Sequence, residues 1–283
     1  MTDSIFLSVV DLINHRFKGQ NLSDVMMTQR INEIATEVQE YLNGSYDYFA
    51  KKFCNLDTHR FEIKQEIIAK SGLFITKKRY GMKLISDNGV QVNKTMVKGL
   101  DTVRSNFAPA FRKLLNDVLE DILASVPRDK IDHRITRFKK NMRLKDLDDI
   151  SSPTGVKGIK KYIKKDKENT SVFTVLKNGI PVHVRAAVSY NDLLRYYKRD
   201  KKYGFISNGD KIRWVYLKNN SLGLSVVAYK GYEDPPEIMK FIEDNMDYDK
   251  IYDRALTKKL NLFYECLDWG KPVDEAQSIE RFF

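Results

Sequence analysis

The chain begins Met1-Thr2-Asp3-Ser4, and an apolar run, Ile5-Phe6-Leu7-Ser8-Val9-Val10, follows at once. A polar turn feeding a short apolar run has the pattern of a tight turn entering a buried strand. That reading puts the Asp3 carboxylate at a strand end, where it is rigidly held. Carboxylates held in this way bind Mg²⁺ in nucleotidyl transfer. A Thr-Asp-Ser tripeptide is far more often a plain turn or helix cap, so its meaning depends on the rest of the chain.

Downstream, Leu22, Val25, Met26, Ile34, Val38, Tyr41 and Leu42 mostly recur at three- and four-residue spacing. This predicts an amphipathic helix stopping near Asn43-Gly44, with a second short helix over Tyr46 to Phe53. Phe61, Ile63, Gln65 and Ile67 alternate with Glu62, Lys64 and Glu66, which predicts a strand. Leu73 to Ile85 reads as one further strand, and Asp87-Asn88-Gly89 as a hairpin turn. One helix with several strands makes an α+β unit.

The pattern changes at Pro109. Phe111, Leu114, Leu115, Val118, Leu119, Ile122 and Leu123 form a stripe of helical period. A second helix opens at Asp129, with a basic face of Arg134, Arg137, Lys139, Lys140 and Arg143, for which ordinary solvation is an adequate reading. Residues 151–168 are loop-like and carry six lysines, among them Lys157 and Lys160. Helices are expected over 181–197, 236–246 and 248–267, and strands over 211–217 and 224–230.

The 283 residues are 42% hydrophobic, enough for one large or two modest cores. A net charge of +11 and a pI near 9.3 point to a polyanionic partner, most simply nucleic acid. Cys54 and Cys266 suggest neither a disulfide framework nor a zinc site and fit a reducing compartment. Neither a signal peptide nor a membrane span is apparent, so a soluble, cytoplasmic protein is expected.

Four further stretches carry chemistry. On a strand, Lys77-Lys78-Arg79-Tyr80 would present Lys77 and Arg79 on one face and Lys78 and Tyr80 on the other. A cation beside an aromatic ring suits the edge of a nucleic-acid duplex, and equally a charged edge strand that resists aggregation. Lys98-Gly99, with Arg104 nearby, would let backbone amides approach a phosphate, or would form a plain loop. His183-Val184-Arg185 and Tyr190-Asn191 could donate to phosphate oxygens or serve as structural pairs. At the end of the sequence, Ile279, Phe282 and Phe283 would share one side of a helical turn, an apolar plug suited to docking.

Taken in order, these pieces resemble the C-terminal part of a family B DNA polymerase of the T-even bacteriophage type. Thr2-Asp3-Ser4 resembles the end of the palm motif Tyr-Gly-Asp-Thr-Asp-Ser, and Lys77-Lys78-Arg79-Tyr80 the palm segment that grips primer–template. Lys98-Gly99-Leu100-Asp101-Thr102 resembles the palm–thumb junction. Ser151-Ser152, the stretch from Pro181 to Arg185 and Tyr190-Asn191 resemble thumb segments that hold the duplex backbone. The final Ser-Ile-Glu-Arg-Phe-Phe is similar to a sliding-clamp-binding peptide. The resemblance implies an α+β fold: half of a palm, a sheet with a packed helix, over 1–106; a mainly helical thumb with a small β subdomain over 107–270; and a flexible clamp-binding tail over 271–283. It implies Asp3 as a catalytic ligand of two Mg²⁺ ions. It implies duplex contacts from Lys77, Lys78, Arg79, Tyr80, Lys98, Gly99, Arg104, Ser151, Lys157, Lys160, His183, Arg185, Tyr190 and Asn191.

The departures from the family pattern are as informative. Met1 stands where the family has Tyr-Gly-Asp, and the exonuclease, the fingers and the other metal-binding aspartate of the palm are missing from these residues. A single carboxylate does not hold two ions. The expectation is therefore the C-terminal subunit of a split polymerase, inactive until an N-terminal chain completes it, with a cut or mis-started chain as the alternative and Met1 favouring a natural start. A rival from another class is a non-catalytic, clamp-tethered duplex-binding protein. An unrelated RNA-binding protein would need an aromatic stacking module, which the sequence does not offer.

Overall fold

The computed structural model describes residues 5–20, 22–100, 106–164 and 172–272. The opening apolar run does not form the expected strand. Residues 5–9 carry no regular structure, with Ile5 and Leu7 exposed, and helix α1 (Val10–Arg16) follows. A strand needs a neighbour to pair its backbone groups, and the strands of this region pair with one another. Asp11 in the first turn of α1 and His15 and Arg16 in its last turn suit a helix dipole instead.

Helix α2 (Asp24–Phe53) starts at Ser23, whose hydroxyl accepts the Met26 amide at 3.3 Å. It runs straight through Asn43-Gly44, so the two expected helices are one. A single glycine costs about 1 kcal/mol in a helix, and Asn43 is occupied elsewhere. Its side chain accepts the Ile63 amide at 2.8 Å and donates to the Ile63 carbonyl at 3.1 Å. Gln39 accepts the Gln65 amide at 3.1 Å. Residues 61–66 are thus hung on α2 by side chains and are not a strand, despite their alternation.

Strands β1 (Ile67–Thr76), β2 (Arg79–Asp87) and β3 (Val90–Lys98) form a sheet in sequence order. The second turn is the expected Asn88-Gly89, with φ of +49° and +81°. The first corrects the sequence reading. The single strand over 73–85 reverses at Lys77-Lys78, so the alternating faces expected for Lys77 to Tyr80 do not exist. Instead Phe74 and Tyr80 meet across the hairpin, ring centroids 5.5 Å apart.

Two compact units divide the chain. The first runs to Leu73 and includes Gly81–Met96; the second holds Phe74–Tyr80 and everything from Val97 onward. The hairpin tip therefore belongs to the second unit.

That unit begins with α3 (Pro109–Leu123), with proline in its first turn, and α4 (Arg128–Asn141). Among the described residues its further α-helices are α5 (Leu147–Ile150), α6 (Ile159–Tyr162), α7 (Val182–Tyr196), α8 (Pro236–Asn245), α9 (Tyr248–Tyr252) and α10 (Lys258–Glu265). A π-helical stretch, Asp253–Thr257, joins α9 to α10. An antiparallel sheet in the order β4 (Ser152–Gly155), β5 (Lys211–Tyr216) and β6 (Val226–Tyr229) sets Ser152 opposite Trp214 and Arg213 opposite Tyr229. All four β6 residues are buried, with α7 packed on the strand. Helical periodicity anticipated α3, α4 and α7; the four-residue β4 has no sequence signal of its own. The fold class is α+β, as expected.

Candidate nucleic-acid interface

The hairpin tip is the most sharply defined part of the site. Lys77 and Lys78 form its two-residue turn and are exposed. Lys78 has φ +63°, a left-handed conformation that is uncommon for a residue with a side chain. Gly99, itself at φ +66°, passes so close that a Cβ there would sit 2.1 Å from the Lys78 carbonyl oxygen. Glycine alone permits that approach.

Arg79 turns inward. With Leu100, Leu115, Leu262 and Phe263 it lines a void of about 10 Å³, at the lower limit for one water. Its Nε is buried without a hydrogen-bond partner. The tip is therefore seated on α3 and α10 by the Arg79 stem, while the two lysines before it face outward. Lys98 is also exposed, beside the buried Leu100.

A second basic segment is carried by other elements. Lys157, Lys160, Lys161 and Lys164 are all exposed around α6. The segment is held from beneath: the Ile159 amide donates to Asn208 Oδ1 at 3.0 Å, and the Val156 amide to the Asp210 carbonyl at 2.9 Å. The Lys164 amide donates to the Val175 carbonyl at 2.9 Å, and the Lys177 amide to the Tyr162 carbonyl at the same distance. Lys161 and Lys164 were not singled out from the sequence, although the lysine run was visible there.

Several other candidates have structural tasks. Tyr190 is fully buried, and burial, with Asp234 nearby, pushes its hydroxyl well above the usual phenol range. Asn191 accepts the Ile206 amide at 2.7 Å and donates to the Ile206 carbonyl at 2.9 Å, closing a loop inside the core. Ser151 is buried against the Tyr229 hydroxyl at 2.6 Å, and that hydroxyl donates to Asp148 Oδ1 at 2.7 Å. These three side chains are not presented at the surface. His183 and Arg185 are half-buried, and burial lowers the His183 pKa, so the imidazole is neutral at pH 7 and offers one donor without a charge.

On the basic face of α4, Arg134 is paired with Asp121 at 2.6 Å. Lys139 lies over the Tyr252 ring and Arg143 over the Tyr248 ring. Part of that face is thus committed within the unit.

Asp3, Arg104, Ile279, Phe282 and Phe283 lie outside the described residues. Among the described residues no group of three or more His, Cys, Asp or Glu side chains could hold a metal ion. The described residues alone therefore hold no Mg²⁺ site, and the one ligand that the resemblance assigns to this chain, Asp3, is not among them. Cys54 and Cys266 are both unpaired and exposed. No helix among the described residues is long and apolar enough to cross a membrane.

No curated protein matches this chain. The sequence profile of DNA polymerase family B, by contrast, matches residues 24–267, a span that includes the hairpin tip, Gly99, the lysine segment around α6 and the helices on which they sit. That span is most of the chain, and the chain belongs to DNA polymerase family B.

Proposed function

We propose that this chain is the C-terminal part of a replicative family B polymerase of the T-even-phage type. It supplies the primer–template grip and one catalytic carboxylate, Asp3. An N-terminal polypeptide carrying the exonuclease, the fingers and the rest of the palm completes the two-Mg²⁺ site. Asp3 would help to hold the ions, which when bound would supply electrostatic stabilisation of phosphoryl transfer, and the protein's own task is positioning. The exposed Lys77, Lys78, Lys98, Lys157 and Lys160 take the duplex phosphates. The segment from Ile279 to Phe283 tethers the enzyme to a sliding clamp.

The observation that carries the two-chain reading is the state of the first unit. Of the 30 residues of α2, only Ile34 and Ala50 are buried, while Tyr41, Tyr48, Phe49 and Phe53 are exposed. Apolar surface of this extent marks a face that another protein covers.

The test is primer extension with Mg²⁺. This chain alone should extend nothing, and the pair should extend. Asp3→Ala should abolish extension while leaving assembly intact. An Asp3→Ala pair that still extends would refute the metal-ligand role. A pair that binds duplex and assembles yet never extends would leave the clamp-tethered binding protein as the better reading.

A further inference from the structure

Read from the sequence, Gly99 either lets backbone amides approach a phosphate or belongs to a plain loop. The geometry points to a different task. We propose that Gly99 is a positioning residue for the two lysines of the hairpin tip, because it lets the chain leaving β3 run close against the turn that carries them. The inference rests on the reading of Lys77 and Lys78 as duplex contacts.

Three observations support it. The first is steric. A Cβ at Gly99 would lie 2.1 Å from the Lys78 carbonyl oxygen and 3.2 Å from Arg79 Cγ, and side-chain-bearing residues do not tolerate a backbone contact that short. The chain on both sides of the contact is constrained: Leu100 is buried next to Gly99, and Lys78 is held in a left-handed conformation. The second is the Arg79 side chain. It is drawn inward among Leu100, Leu115, Leu262 and Phe263, with its Nε buried and unpaired. An Nε without a partner costs free energy, which the apolar packing of the Arg79 stem offsets. The third is the division of the chain, in which Phe74–Tyr80 groups with Val97 onward.

The consequence concerns electrostatics. A lysine on a mobile turn forms a diffuse phosphate contact. One on a seated turn is already in place when the duplex arrives, so less conformational entropy is lost on binding. Gly99 therefore acts through Lys77 and Lys78 and need not touch DNA.

The experiment measures duplex affinity of the full chain against salt, where each lost phosphate contact lowers the slope of log K on log salt by about 0.9. The double substitution Lys77→Ala with Lys78→Ala should lower it by about 0.9 to 1.8. Gly99→Ala should lower it comparably, and combining all three should add little further. Gly99→Asn separates the two causes, because asparagine accepts a positive φ but keeps the clashing Cβ. It should behave like Gly99→Ala, and a wild-type slope with Gly99→Asn overturns the proposal. One glycine inserted between Lys77 and Lys78 keeps both cations and lengthens an exposed turn, so it is informative even if the Gly99 variants do not fold. It should reproduce the loss of slope and raise tryptic cleavage at the tip. Normal slope with the insertion overturns the proposal. An unchanged slope in the double lysine variant overturns the duplex-grip reading itself, and the proposal with it.

Discussion

The Tyr264 hydroxyl donates to Asp132 Oδ1 at 2.7 Å, joining two residues 132 positions apart in the sequence. Tyr264 is fully buried, and the Arg128 Nε lies 3.4 Å from the other oxygen of the same carboxylate. Helix α10 is thereby latched to α4. Tyr264→Phe leaves the carboxylate with one donor fewer and should cost about 1–2 kcal/mol. Urea unfolding should show a lower midpoint with an unchanged m-value.

The same latch predicts a pH dependence. Burial first, then the Asp132 hydrogen bond, raise the Tyr264 pKa; burial foremost raises those of Tyr229 and Tyr190. A folded pKa above the unfolded value of about 10 means that the stabilisation is complete below pH 10 and is lost as pH rises further. Each such tyrosine contributes about 1.4 kcal/mol per pH unit to that loss. Stability measured from pH 9 to 11.5 should fall at the alkaline end, and Tyr229→Phe should make the fall shallower by about one proton's worth.

Asn191→Ala should separate structure from DNA binding. It removes both hydrogen bonds to Ile206 and leaves buried backbone groups unpaired, costing about 2–3 kcal/mol. The salt slope of duplex binding should not change. Lys160→Ala should do the reverse, lowering the slope by about 0.9 with no loss of stability, because its side chain is exposed.

On α2, Phe49 and Phe53 stack with centroids 5.5 Å apart while remaining largely exposed. Replacing both with serine should change the stability of this chain by about 0.5 kcal/mol or less. Association with the N-terminal chain should weaken by about tenfold or more, as expected for aromatic anchors. Pull-down or calorimetric titration of the pair measures it, and full-strength association would place the partner elsewhere.

Removing Ile279 to Phe283 should reduce processive synthesis with the clamp and spare distributive synthesis. Product-length distributions with and without clamp measure the two separately. An equal loss in both would assign the segment a structural role.

Local chemistry was readable where it decided the outcome. Asn88-Gly89 turns because both residues accept positive φ, and α3 buries Phe111, Leu114, Leu115, Val118 and Leu119 as its periodicity requires. It was unreadable where a distant residue decided. Nothing around Lys77-Lys78 marks a turn, and Asn43-Gly44 has the form of a helix stop that the structure ignores. Tyr190-Asn191 has donors suited to phosphate, yet Tyr190 is buried and the Asn191 amide is bonded to Ile206 within the core.

By itself the sequence determined the order of helices and strands over most of the chain, the basic character of the surface and the family pattern, because these depend on neighbours three or four residues away and on composition. The tertiary structure decided which polar groups face outward and where the β1–β2 hairpin turns. Those outcomes rest on contacts between segments apart in the sequence, such as the Asn191 hydrogen bonds to Ile206 and the close approach of Gly99 to the Lys78 carbonyl, which exist only once the segments are folded together.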